Sequence, residues 1–280
     1  MALLDALLPL RLFLTLVWWH ICHFIAHALH VKGIKPSSQF FHKVVVIGDD
    51  FAAGIGDYIT MGSAGGVAEY LKSIVAYNDK VRHNWAIINA GVPGSTTADW
   101  MMSSPKQVNT ALVNISSLTY FKNALTSRSM GDASIVIIIL GSAELRNPAA
   151  AGHEMKRNLM EICDTLRKKG KHVCLATVAS PDPLASETDC ASSTLNTALE
   201  QFCKSTSTEE APVIFGPRLD NYAFRRENAL SYDKYHFNSQ SYRLLARNTA
   251  DFLVPMMTAE EWATWKEQLS HVTYDKALYE

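Results

Sequence analysis

The 280-residue sequence predicts an α/β protein: a three-layer α/β/α sandwich around a parallel five-stranded sheet, preceded by an N-terminal hydrophobic helix. Three observations predict it. Short continuous apolar runs such as "SIVIIIL" at 134–140 suit strands buried on both faces, as in a parallel sheet. These runs alternate with helical stretches, the order that right-handed βαβ crossovers require. Apolar residues make up 48% and charged residues 19% of the chain, which excludes a disordered protein.

The first element is the run 12–29, "LFLTLVWWHICHFIAHAL", which carries no formal charge. As a helix its eighteen residues span about 27 Å, at the short limit for crossing a bilayer core. Arg11 precedes the run and Lys32 and Lys35 follow it, so the positive-inside rule gives no orientation. Ala26-His27-Ala28 imitates a signal-peptide cleavage site, but the segment is read as an uncleaved anchor or docking helix over 1–36. Within it His20, His23, His27 and His30 fall inside about an 80° arc, opposite Leu14, Trp18, Ile21 and Ile25. One helix cannot supply both axial faces of a haem, so this arc reads as a polar stripe facing headgroups, water or another subunit. No cofactor and no metal are expected.

The candidate strands follow at 44–47, 85–89, 134–140, 172–177 and 212–215. Helical candidates lie at 65–77, at 98–102 with its continuation, at 150–169, at 193–203 and at 239–254. Gly170 stands where a helix C-terminal stop belongs. The segment 258–280 reads as a polar, Trp-bearing docking helix. The chain thus divides into 1–36, a domain over 41–255, and a C-terminal extension over 256–280.

A net charge of −1 without a basic stripe gives no support for nucleic-acid binding. Cys22, Cys163, Cys174, Cys190 and Cys203 contain no C-x-x-C pair, which argues against a disulfide framework and structural zinc. They read as reduced and mostly core. The sequon Asn114-Ile-Ser116 matters only in a secretory lumen.

In a doubly wound sheet, ligands bind beyond the carboxyl ends of the strands. The residues there are Asp49-Asp50, 89–94 and 141–144. "VVVIGDDFAAG", "NAGVPGSTT", "GSAE" and "DKYHFNSQSYRLLA" follow one another in the chain. Together they resemble the four blocks of the SGNH (GDSL-type) hydrolases, esterases and lipases with a flavodoxin-like sandwich, over about 43–254. The resemblance implies Gly48, Asp49 and Gly54 in the first block, with Asp50 at the position of the nucleophilic serine. It implies Gly91 as the oxyanion-hole glycine. It puts Ala143 where an asparagine donates to the oxyanion, with Glu144 at the aspartate position after it. Asp233 and His236 keep the last block.

An aspartate cannot simply do the serine's work. A carboxylate attacking an ester forms an adduct from which the carboxylate is the better leaving group, so substrate re-forms. Beside His236, an anionic Asp50 would favour imidazolium by about 4 kcal/mol at 4 Å and an effective dielectric of 20. With Asp233 on its other side, His236 should have a raised pKa and be a poor base. Asp50, Glu144, Asp233 and His236 also invite a divalent cation, but such acids more often pair with one another. Asp57, Asp99 and Arg146 read as capping or surface residues.

The expected function is a catalytically inactive accessory subunit of a larger membrane complex, an organellar one such as a respiratory complex, with membrane lipids and protein subunits as partners. One alternative is a membrane-associated esterase of altered chemistry, using water activated by His236 or a hydroxyl of Ser95 or Ser142. Another is a non-catalytic lipid- or glycan-binding module. A cleft plugged by Phe51 or Tyr235 would count against the binding module.

Overall fold

Five β-branched segments form one parallel sheet in the computed structural model, in the order β2-β1-β3-β4-β5. The structure describes residues 40–60, 65–104, 120–126, 130–146, 153–184, 191–209 and 211–270, with Leu14, Val17, Trp18 and Ile21. The strands are β1 Phe41–Gly48, β2 Asn84–Gly91, β3 Ile135–Ile139, β4 His172–Leu175 and β5 Val213–Phe215. All five coincide with the runs read from the sequence, to within a few residues at each end.

Alternation along the strands builds two cores. Val44 and Val46 of β1, with Ile135, Ile137 and Ile139 of β3, face helices α3 (Gly66–Ala76) and α8 (Ser239–Ser270). Val45 and Ile47, with Val136 and Ile138, face α6 (His153–Lys168) and α7 (Ala191–Thr206). Each fully buried Ile or Val contributes roughly 1.5–3 kcal/mol of transfer free energy. Both faces of the sheet are covered, as the unbroken apolar runs require. Cys163, Cys174 and Cys203 are free and buried in these layers. Gly170 ends α6 with φ +71°.

Short helices occupy the strand-end loops: α1 Asp50–Ala53, α2 Ile55–Ile59, α4 Tyr120–Thr126 and α5 Ser142–Leu145. Two expected helices differ. The stretch 98–102 forms one 3₁₀ turn, Ala98–Trp100, because Asp99 accepts from the Thr96 amide and hydroxyl and closes a local turn. The closing helix does not stop at 254. It runs through Pro255 to Ser270, so the expected boundary at 256 falls inside α8. Pro255 is exposed while Val254, Met256 and Met257 are buried. Packing on those neighbours holds the helix across the missing hydrogen bond, and the carbonyl it frees lies on the solvent side.

Glu261 pins this continuation to the sandwich. Its carboxylate, 5% exposed, accepts from the amides of Arg82 and His83 and from Trp85 Nε1 at 2.8 Å. The anchor over 1–36, the histidine stripe, Cys22, Cys190 and the sequon lie outside the described residues, except that Leu14, Val17, Trp18 and Ile21 are helical and exposed. Among the described residues no helix is long and apolar enough to cross a membrane.

Candidate functional site

β1 pairs with both β2 and β3, so the sheet's topological switch point lies at the carboxyl end of β1. Asp49 and Asp50 follow directly. Asp49 is fully buried and caps α1 by accepting from the Phe51 amide. Its other oxygen accepts from the amide and hydroxyl of Ser142 at 2.9 and 2.6 Å. One carboxylate thus fixes the loop after β1 to the loop after β3. Burial and the charge of Asp50 raise the Asp49 pKa to about 7, against the donors from Ser142 and Phe51.

Asp50 opens the first turn of α1 and points toward the last block. Its Oδ2 lies 3.5 Å from His236 Nε2, and its Oδ1 accepts from the Gly94 amide at 2.7 Å. Nδ1 of His236 sits 2.5 Å from Asp233 Oδ2. Asp233 is itself held by the Ser231 hydroxyl and the amides of Tyr235 and His236. The arrangement is acid, imidazole, acid, in place of hydroxyl, imidazole, acid.

The electrostatics follow from that order. Burial opposes charge on His236, but the hydrogen bond to Asp233 and the two flanking carboxylates outweigh it and raise its pKa to about 9. Asp50 is also penalised by burial, yet His236, the Gly94 amide and Arg146 hold its pKa below the usual value. Asp233 is held well below the carboxylate range despite burial, by His236 and its own donors. At neutral pH the site is therefore a carboxylate–imidazolium–carboxylate cluster. Nε2, the atom that would take a nucleophile's proton, already carries one. At 3.5 Å it forms an ion pair with Asp50 rather than a well-made hydrogen bond.

The resemblance puts the oxyanion glycine at Gly91, but the backbone amide that faces Asp50 is that of Gly94. The Gly91 amide donates to the Asn89 side chain. A Cβ there would lie 2.4 Å from Ala53 N, so Gly91 serves the close approach of α1 to β2. Gly94, at φ +71°, turns its N–H toward the site. The Asp50 carboxylate accepts from this N–H. Missing this followed from matching the first glycine of "NAGVPGS"; the Pro93-Gly94 turn was the available signal.

Ala143 lies in α5, partly buried, and its methyl group donates nothing. Glu144 does not join the acids around His236. It is buried, and its Oε1 accepts from the Thr97 amide at 2.5 Å, tying the loops after β2 and β3 together. Among the described residues no three His, Cys, Asp or Glu side chains are grouped to hold a metal ion. Ser95 and Ser142, the spare hydroxyls, are both buried: Ser95 bonds the Gly48 carbonyl and Trp100 Nε1, and Ser142 bonds Asp49. Asp57 accepts from the Gly66 amide and the Tyr70 hydroxyl, a capping role. Arg146 is exposed and stacks 4.4 Å over the Tyr235 ring, which closes one side of the site. Phe51, 1% exposed, and Tyr235, 7% exposed, pack edge-on to one another and flank His236. The side chains of Asp50 and His236 are left 14% and 8% exposed.

A sequence profile of the GDSL-like lipase/acylhydrolase family matches residues 46–244. No curated protein sequence matches the chain. Among solved structures, the fold is similar to a lipase/acylhydrolase from Enterococcus faecalis, with 18% identity, 78% of this chain and 96% of that one covered, and a TM-score of 0.51. It is similar to a carbohydrate esterase family 3 protein from Talaromyces cellulolyticus, at 16% identity, 78% and 99% coverage and TM-score 0.53. A Clostridium thermocellum family 3 carbohydrate esterase gives 14% identity, 79% and 99% coverage and TM-score 0.57.

Proposed function

The chain belongs to the GDSL-like lipase/acylhydrolase family, and from that premise we propose that it is a member which no longer hydrolyses esters. In this reading the former active site is a structural ion cluster, and the chain serves as an accessory subunit tethered to a membrane complex. The observation that carries the reading is Asp50, with its two oxygens on His236 Nε2 and the Gly94 amide. One side chain thereby replaces the nucleophile, holds the base in its protonated form and fills a backbone donor of the oxyanion position. The tether rests on the uncharged run 12–29, and an organellar membrane is its proposed setting.

Magnitudes favour inactivity over altered chemistry. Loss of one oxyanion donor costs about 10²- to 10³-fold in rate, and loss of a triad nucleophile on the order of 10⁶-fold. Ser95 and Ser142 supply no replacement, since both hydroxyls are buried and engaged elsewhere. The packing of Phe51 and Tyr235 around His236 likewise weakens the case for a lipid- or glycan-binding cleft.

Hydrolysis of 4-nitrophenyl acetate tests the reading. The wild-type chain should match the buffer rate, whereas Asp50→Ser/Ala143→Asn should restore a hydroxyl beside His236 and gain about 100-fold or more. Wild-type turnover that disappears in His236→Ala would refute it.

A further inference from the structure

Beyond Glu261, α8 leaves the sandwich: none of residues 262–270 is buried. Trp262, Trp265 and Leu269 are 55%, 43% and 39% exposed, and the two indoles meet edge to face at 5.4 Å. At 100° per residue these three side chains fall within an arc of about 60°. Glu261 fixes the rotation of the helix through its three donors, so the stripe points in one set direction. Glu267 falls on the opposite face of the same turns.

The position of the stripe says what it meets. Phe40, where the described chain enters β1, packs its ring 4.7 Å from His83 and accepts from the Asn84 amide. His83 is itself bound to Glu261, one residue from Trp262. The uncharged run 12–29 is therefore joined to the end of the molecule that bears the stripe. The intervening residues 30–39 reach at most about 35 Å. Within that run Leu14, Trp18 and Ile21 are helical and exposed, so they do not cover the stripe, nor the stripe them. Both apolar faces are exposed, and the chain that carries the run enters the sandwich at the end that bears the stripe. The Asp50–His236 cluster lies at the opposite end, beyond the strand carboxyl termini.

We propose that the Trp262–Trp265–Leu269 face of α8 is a second membrane contact, seated in the interface of the bilayer that receives run 12–29. Indoles combine a large apolar surface with one N–H donor and prefer that depth. The exposed charges nearby, Lys80, Arg82 and Lys266 against Asp79 and Glu267, nearly balance. Apolar contact, rather than attraction to anionic headgroups, therefore drives the docking. The inference rests on the proposed tether and adds a fixed orientation, with the degenerate site facing away from the membrane.

The test is amide hydrogen exchange on the full chain with and without phosphatidylcholine vesicles, beside vesicle flotation. Exchange over 262–270 should slow about tenfold on lipid addition, to a similar extent when a third of the lipid is phosphatidylglycerol. Trp262→Ser/Trp265→Ser, and independently Leu269→Glu, should remove the slowing while β1–β5 exchange as in the wild type. A chain that floats with vesicles but shows no slowing there overturns the second contact and leaves the tether standing. A chain that does not float overturns both. Slowing without lipid that grows with protein concentration makes the stripe a protein–protein face and also overturns the proposal.

Discussion

Asp50 contacts both the imidazole of His236 and the amide of Gly94. A serine hydroxyl at that position would leave His236 with one acid, whereas the aspartate gives it two and helps raise its pKa to about 9. Asp50→Asn keeps the side-chain shape and removes the charge. The His236 titration midpoint, followed by the Cε1 proton in NMR, should then fall by about one unit or more. An unchanged midpoint would mean that Asp233 alone sets the charge. The sequence carried Asp50, Asp233 and His236 to the right neighbourhood because each sits in a short motif at a strand end. It did not show which backbone amide faces Asp50, since which amide in "NAGVPGS" turns inward depends on the φ of Gly94. Asp49 as the link between two loops was also illegible, because its partner Ser142 is ninety-three residues away.

At the scale of elements, α8 departs furthest from the sequence reading. The sequence reading ended the helix at 254, yet buried contacts on both sides of Pro255 carry it on to Ser270. Glu261 supplies the rest of the reason. Glu261→Ala should leave the amides of Arg82 and His83 and the indole N–H of Trp85 without their acceptor. The expected loss is about 2–4 kcal/mol in urea unfolding, larger than for a surface Glu→Ala. Glu261→Gln should retain part of that stability, since the amide oxygen still accepts. A loss below about 0.5 kcal/mol would show that the contact does not hold the helix. The five strands, by contrast, were legible in advance, because burial on both faces writes itself into continuous apolar runs.

For the whole molecule the charged cluster predicts a particular pH profile. His236 has a folded pKa of about 9 against 6.5 unfolded. Its contribution, on the order of 3 kcal/mol, is complete below pH 6.5 and lost as pH rises through 9. Asp49, raised to about 7 from 3.8, acts in the same direction between those values. Asp50 and Asp233, both depressed, contribute above their unfolded pKa and lose that contribution as pH falls through their folded ones. Stability should therefore peak near about pH 5 and decline toward pH 9. Chemical denaturation across pH 4–10 measures this, and Asp50→Ser should flatten the limb above pH 6.5. A profile level from pH 6 to 9 would contradict the ion cluster.

The sequence by itself determined the sheet, its parallel layering and the family framework. These are written in local runs and short motifs, where a residue's type and its immediate neighbours suffice. Only the tertiary structure decided that Gly94 rather than Gly91 faces the site, that Glu144 turns to Thr97, and that Glu261 carries α8 past its proline. Each of those depends on a hydrogen bond between segments far apart in the chain, whose partners no local pattern specifies.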